Sequence, residues 1–117
     1  GGNGKDDRTT LNVCTPGTNM VIDGNLITQH CTNSSSETFH GDQWVTVEIE
    51  VRGSDELIHR INGKSVFELK NMQLDENDPD AKLLIENGSN LLLSEGYLAI
   101  QAESHPTQFR KIQIRPL

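Results

Sequence analysis

WVTVEIEVRGSDELIHRINGKSVFEL, residues 44–69, is the stretch from which the fold is read. Val45, Val47, Ile49 and Val51 alternate with Thr46, Glu48, Glu50 and Arg52, the two-residue period of a strand with one apolar and one polar face. Residues 57–61 and 65–69 are β-prone in their turn, and Asn62-Gly63 between them is a strong hairpin signal because both positions tolerate positive φ. Three consecutive antiparallel strands make a meander.

Upstream, residues 11–14, 19–22 and 26–29 are short β-prone runs separated by Pro16-Gly17 and Asp23-Gly24, and Asp-Gly again marks a hairpin. The segment CTNSSSETFHGDQ, residues 31–43, is polar and aperiodic and is expected to be a surface loop. Residues 1–7, GGNGKDD, read as a flexible or linker remnant. The opening Gly1 points to a chain cleaved, tagged or cut from a longer reading frame.

Downstream, Asp78-Pro79 reads as an N-cap followed by a first-turn proline, opening one short helix over residues 79–87 that stops at Asn87-Gly88. Residues 96–117, GYLAIQAESHPTQFRKIQIRPL, hold two alternating runs joined by Ser104-His105-Pro106, and they predict a terminal hairpin. A shift of phase between Phe109 and Ile112 predicts a bulge at Arg110-Lys111. The pattern as a whole defines an all-β, antiparallel sandwich with one helix.

The chain has 117 residues, room for a single domain. Only 33% are hydrophobic and 4% aromatic, lean for a chain that must bury its own core, so a thin sandwich or part of something larger is expected. The formal charge of −7 argues against nucleic acid or an anionic membrane as partner. No apolar run is long enough to span a bilayer as a helix.

Cys14 and Cys31 lie among Thr, Ser, Asn and Pro, where a buried thiol would find little to pack against. A disulfide is the preferred reading; closing the loop over residues 14–31 would stabilise by about 3 kcal/mol and would place the protein outside a reducing cytosol. The alternative is two unpaired cysteines. His30 beside Cys31, with Cys14, offers three metal ligands but not the paired spacing of structural zinc. Asp75, Asn77, Asp78 and Asp80 are oxygen-rich enough for a divalent cation such as calcium, yet lack the glycine and terminal glutamate of an EF-hand loop, and a helix cap explains Asp78 more simply. No cofactor or metal site is assigned.

The blocks RTTLNVCTPGT, HGDQWVTVEIEVRG, NGKSVFE, QLDENDPDAK and GYLAIQAESHPTQFRKIQIRPL, in that order, resemble the C-terminal part of the DUF1080 family, the 3-keto-disaccharide hydrolases. The resemblance covers residues 8–117 and implies a concanavalin A-like jelly roll, two antiparallel sheets with a concave face that receives sugar. It further implies a domain incomplete at its N-terminal side, the missing N-terminal part being a partner of this one. An extracytoplasmic location in a bacterium (periplasmic, secreted or surface-anchored) follows from the same likeness. The sequence departs from the family at Lys111, where the family's Phe-Arg pair is usually followed by asparagine.

On a 3-keto glycoside the ketone acidifies the hydrogen at C2, so cleavage needs a base, an acid for the departing oxygen and a positive group for the enolate. The resemblance puts Glu103 and His105 forward as base and acid, with His59 and His40 behind them, and Arg110 as enolate stabiliser. Gln101, His40, Gln43 and Trp44 are candidates for binding sugar, Trp by stacking on a pyranose and the others by bonding hydroxyls. Each has a plainer reading: Glu103 as a solvated strand residue, His105 as a turn residue, Trp44 as core. The first functional expectation is a carbohydrate-active hydrolase. Its rivals are a non-catalytic, lectin-like carbohydrate-binding module and an inactive fragment of the hydrolase.

Overall fold

The computed structural model describes residues 4–103 and 106–117. Among them the chain forms seven strands in two antiparallel sheets and one helix. The strands are β1 (Val13–Cys14), β2 (Thr18–Ile22), β3 (Asn25–Ile27), β4 (Cys31–Thr32), β5 (Val47–Arg52), β6 (Glu56–Ile61) and β7 (Lys64–Leu74); the helix is α1 (Pro79–Glu86). The larger sheet runs β3-β2-β7-β6-β5 and the smaller one pairs β1 with β4.

Turn chemistry sets the larger sheet. Asp23 and Gly24 (φ 49° and 78°) close β2–β3, and Asn62 and Gly63 (φ 49° and 82°) close β6–β7, both with the paired positive φ of a tight hairpin turn. The meander is present as β5-β6-β7, with Ile49 opposite His59 and His59 opposite Phe67. β7 is the longest strand because two irregularities let it change partners. Its register with β6 slips between His59 and Arg60, leaving Val66 as an extra residue. Near β2 it sets Asn71, at φ 49°, and Met72 against the single residue Met20.

The core lies on one face of this sheet. Met20, Leu57, Phe67 and Leu69 form it, with Met20 and Leu69 at most 1% exposed. Val13 of β1 packs on the cluster, so the two-stranded ribbon is the second layer. That layer is too small to reach β5, which sits at the sheet edge: Val47 and Val51 face the apolar side and remain 44% and 42% exposed. The loop reading of residues 31–43 needs correcting at two points. Cys31–Thr32 is a strand, and Ser34 is buried, accepted by the Thr10 carbonyl at 2.5 Å and bonded at its own N–H to Asn12 Oδ1 at 2.9 Å.

Helix α1 begins and ends where the sequence predicts. Asp78 Oδ1 accepts from the backbone N–H groups of Asp80 and Ala81, at 3.0 and 2.9 Å. At the other end Gly88 (φ 93°) bonds Ile85 and Ser89 bonds Leu84, the paired Schellman closure. Gly17, at φ 67°, passes so close to the cap that a Cβ there would stand 3.3 Å from Asp78 Oδ1. Asp75 serves a local turn, accepting from Asn77 N–H at 3.0 Å. Asp75, Asp78 and Asp80 do not come together as a ligand group among the described residues. Asp78→Ala is expected to lower stability by about 1 kcal/mol, read as a lower urea midpoint at unchanged slope.

The terminal hairpin is not formed. Residues 96–103 and 106–117 contain no strand, and Tyr97 and Ile114 are fully or almost fully exposed. Alternation records only the capacity to be a strand, and an isolated hairpin is marginal in water without a neighbouring ladder. The bulge predicted at Arg110-Lys111 is not formed, because there is no ladder for it to interrupt; Lys111 nonetheless has φ 53°. Of the described residues after α1, 91–93 join the sheet, through Leu74 N–H to Leu91 C=O and Leu93 N–H to Met72 C=O.

Candidate functional site

The segment before β5 builds a small platform. Gly41, at φ 71°, turns the chain so that Gln43 Nε2 donates to the His40 carbonyl at 2.6 Å. The turn delivers Trp44 to the surface, 52% exposed, which overturns its plainer reading as a core residue. From the far end of the chain Arg110 lays its guanidinium over the indole, Cζ standing 3.7 Å from the ring centre. Asp7 Oδ1 lies 3.6 Å from His40 Nε2 at the same corner. Four candidates, His40, Gln43, Trp44 and Arg110, are therefore brought together, in two directly touching pairs, Gln43 with His40 and Arg110 with Trp44.

The arrangement has definite chemical capacity. Indole offers a flat apolar surface suited to the C–H face of a pyranose, and the guanidinium supplies fixed positive charge with several donors. Arginine stays charged at any working pH, so it can meet a developing oxyanion without giving up a proton. Gln101 and Glu103 lie on the terminal segment, exposed and outside any strand. Ser104 and His105 lie outside the described residues.

His59 is not part of the site. It is 6% exposed on the core side of β6, its ring 5.6 Å from that of Phe67. Nδ1 stands 3.0 Å from the Leu11 carbonyl; a carbonyl only accepts, so Nδ1 carries the proton and the ring pins the ribbon layer to the sheet. Burial pushes its pKa below the ordinary histidine value, the Leu11 bond opposing this in part. The unfolded chain takes up the proton first, so stability is complete above about pH 6.5 and falls as pH drops toward the folded value. Denaturant unfolding is expected to show this loss, no steeper than about 1.4 kcal/mol per pH unit for one proton. His59→Phe should remove that part of the slope.

The sequence reading missed an ion-pair ladder on the polar face. Arg60 Nη1 donates to Glu48 at 2.7 Å and Glu50 at 2.8 Å, while Arg52 donates to Glu50 through Nε and Nη2, both at 2.6 Å. Arg60 first, then Arg52, hold the Glu50 carboxyl below the usual range. The register Glu48↔Arg60 belongs to the β5–β6 pair, closed by the turn at residues 53–55 with Gly53 at φ 54° and Arg52 opposite Glu56. Both carboxylate oxygens of Glu50 are engaged by cations, which suits a braced edge strand better than a general base. A cleft of about 360 Å³ between the β2–β3 turn and β7 is lined by Asp23, Ser35, Ser65, Phe67 and Glu68, none of them a predicted site residue.

Cys14 and Cys31 form a disulfide, facing each other across the β1–β4 pair. No helix among the described residues is long and apolar enough to cross a membrane.

Fold and surface together define an antiparallel β domain, disulfide-linked, with an exposed aromatic and cationic platform. The family model described as a 3-keto-alpha-glucoside-1,2-lyase-like domain matches residues 3–115, and the chain belongs to that family. Membership places it among carbohydrate-active domains. No curated protein and no solved structure matches the chain.

Proposed function

We propose that this domain cleaves glycosides of a 3-keto sugar by general acid–base chemistry. The base removes the proton at C2, the C–H electrons pass into an enolate on the 3-keto oxygen, and the C1–O bond then breaks as the enolate collapses. Water adds to the resulting double bond later, so the sum is hydrolysis and the first half a 1,2-elimination, the chemistry in the family's description. Glu103 is the base, His105 the acid for the departing oxygen, and Arg110 the group that stabilises the enolate. Trp44 stacks on the sugar ring, while His40, Gln43 and Gln101 bond its hydroxyls.

The observation that carries this reading is the Arg110–Trp44 stack beside His40 and Gln43, a cation fixed on a sugar-sized aromatic surface in a chain of this family. The disulfide supports action outside a reducing cytosol. The bare apolar side chains of Tyr97, Leu98, Ile112 and Ile114 support completion of the sandwich by a further, N-terminal part of the same domain, which would supply the rest of the cleft.

Incubation of the protein with a 3-keto disaccharide, with release of the free sugar followed chromatographically, tests the reading. Release is expected, together with weaker substrate binding for Trp44→Ala. Binding without release would instead identify a lectin-like module, and neither binding nor release would sink the carbohydrate reading.

A further inference from the structure

Beside the platform's chemistry, and independent of it, stands the corner formed by Cys14, His30 and Cys31. One ligand atom from each of these residues lies within 4.8 Å of the other two, and all three residues are exposed. They are the only such group among the described residues. In the disulfide neither sulfur is a thiolate, and the thiolate is the form that ligates metal. We propose that reduction of Cys14–Cys31 turns this corner into a binding site for a thiophilic divalent ion of the zinc type, two thiolates and the His30 imidazole being its protein ligands.

The geometry supports this because the disulfide is not what alone holds the ligands together. Thr15 N–H donates to the His30 carbonyl at 2.8 Å, and Ser34 Oγ donates to the Thr10 carbonyl at 2.5 Å. Further along, Ser34 N–H bonds Asn12 Oδ1 at 2.9 Å and Thr10 N–H bonds Ser36 Oγ at 2.6 Å. These bonds fasten residues 10–15 to residues 29–36 without the sulfur bridge, so breaking it leaves two thiols and an imidazole in one patch. Zinc–sulfur and zinc–nitrogen distances of about 2.3 and 2.0 Å set tetrahedral edges of roughly 3.5–3.8 Å. The ligand atoms already lie within 4.8 Å of one another, and the two sulfurs separate to such an edge once the bond between them is broken. With three protein ligands the fourth position is left to water, the pattern of open rather than closed zinc sites.

The redox step balances with a dithiol as reductant. Two electrons and two protons pass from the dithiol, whose own sulfurs join as a disulfide, while the Cys14–Cys31 bond breaks to give two thiols. Metal binding then releases two protons to solvent as both thiols become thiolates. The corner is thus a metal site gated by oxidation state: closed as a disulfide, open as a dithiol.

Cobalt(II) is a suitable probe because its thiolate charge-transfer and visible d–d absorption report tetrahedral sulfur ligation directly. The protein is reduced with a dithiol, freed of reductant under anaerobic conditions, and titrated with Co²⁺ and then Zn²⁺. Expected are a one-to-one charge-transfer band that Zn²⁺ displaces, no band in the oxidised protein, and at least about a tenfold loss of affinity in His30→Ala. Far-ultraviolet circular dichroism on the reduced protein should retain its β signal. Absence of the band, an unchanged affinity in His30→Ala, or loss of the β signal on reduction would each overturn the proposal.

Discussion

Arg110→Ala is expected to lower turnover of a 3-keto disaccharide by about a hundredfold to a thousandfold while leaving the fold in place. The size follows from the role: removing one preorganised donor to a developing oxyanion costs about that much in kcat. The alternative is that Arg110 merely decorates Trp44. An exposed cation–π contact is worth only about 0.5–1 kcal/mol, and Trp44 is half exposed, so the structural reading predicts a small shift in thermal midpoint and no large kinetic effect. Rate and stability therefore separate the two explanations in one variant. Arg110→Lys sharpens the comparison, because lysine keeps the charge but loses the planar fork that lies on the indole. It is expected to recover part of kcat and little of the stacking. Trp44→Ala should act mainly on KM if indole holds substrate and transition state alike. A normal kcat in Arg110→Ala would remove Arg110 from the chemistry.

How much of this was legible in the sequence depended on how local the cause was. Asn62-Gly63 and Asp23-Gly24 need φ values that few other residue pairs accept, so two hairpins were readable from four positions. Asp78 and Gly88 fixed α1 in the same way, by satisfying end groups within a turn of themselves. The terminal segment failed on the opposite count. Leu98, Ile100 and Ala102 alternate as well as Val47 and Ile49 do, but β5 has β6 beside it, and residues 97–103 have no ladder to join. The candidate site divides along the same line. His40 and Gln43 were near one another in sequence and remain so, whereas Arg110 reaches Trp44 across most of the chain. No spacing rule announces such a pair; the resemblance named both residues without saying that they touch. His59 misled for a related reason: a histidine in a strand looks chemical until its partner, the Leu11 carbonyl, shows it to be a buried pin.

Replacing Cys14 and Cys31 together by serine is expected to cost about 3 kcal/mol of unfolding free energy, lowering the thermal midpoint by roughly 10–20 °C. The bridge joins residues 17 apart in sequence, and its stabilisation comes chiefly from denying the unfolded chain the freedom of that loop. The β1–β4 ladder pairs only two residues each, so the ribbon is held besides the bridge by the hydrogen bonds from residues 10–15 to residues 29–36, which keep the segments together but do not replace the loop-closure contribution. The consequence travels to the core: Val13 on β1 covers Met20 and its neighbours, and Leu11 receives the His59 bond, so a looser ribbon weakens both. Denaturant curves distinguish the causes. If the effect lies in the unfolded state, the serine variant's slope m rises, since an uncrosslinked chain exposes more surface on unfolding. If it lies in a disrupted native ribbon, m falls, since part of that surface is already exposed when folded. A loss under about 1 kcal/mol would mean that the hydrogen bonds from residues 10–15 to residues 29–36 carry the ribbon by themselves. The expected outcome is the first: a chain that is less stable yet still folded, as typical domain stabilities of about 5–15 kcal/mol allow. That is also the state in which Cys14, His30 and Cys31 would remain neighbours after reduction.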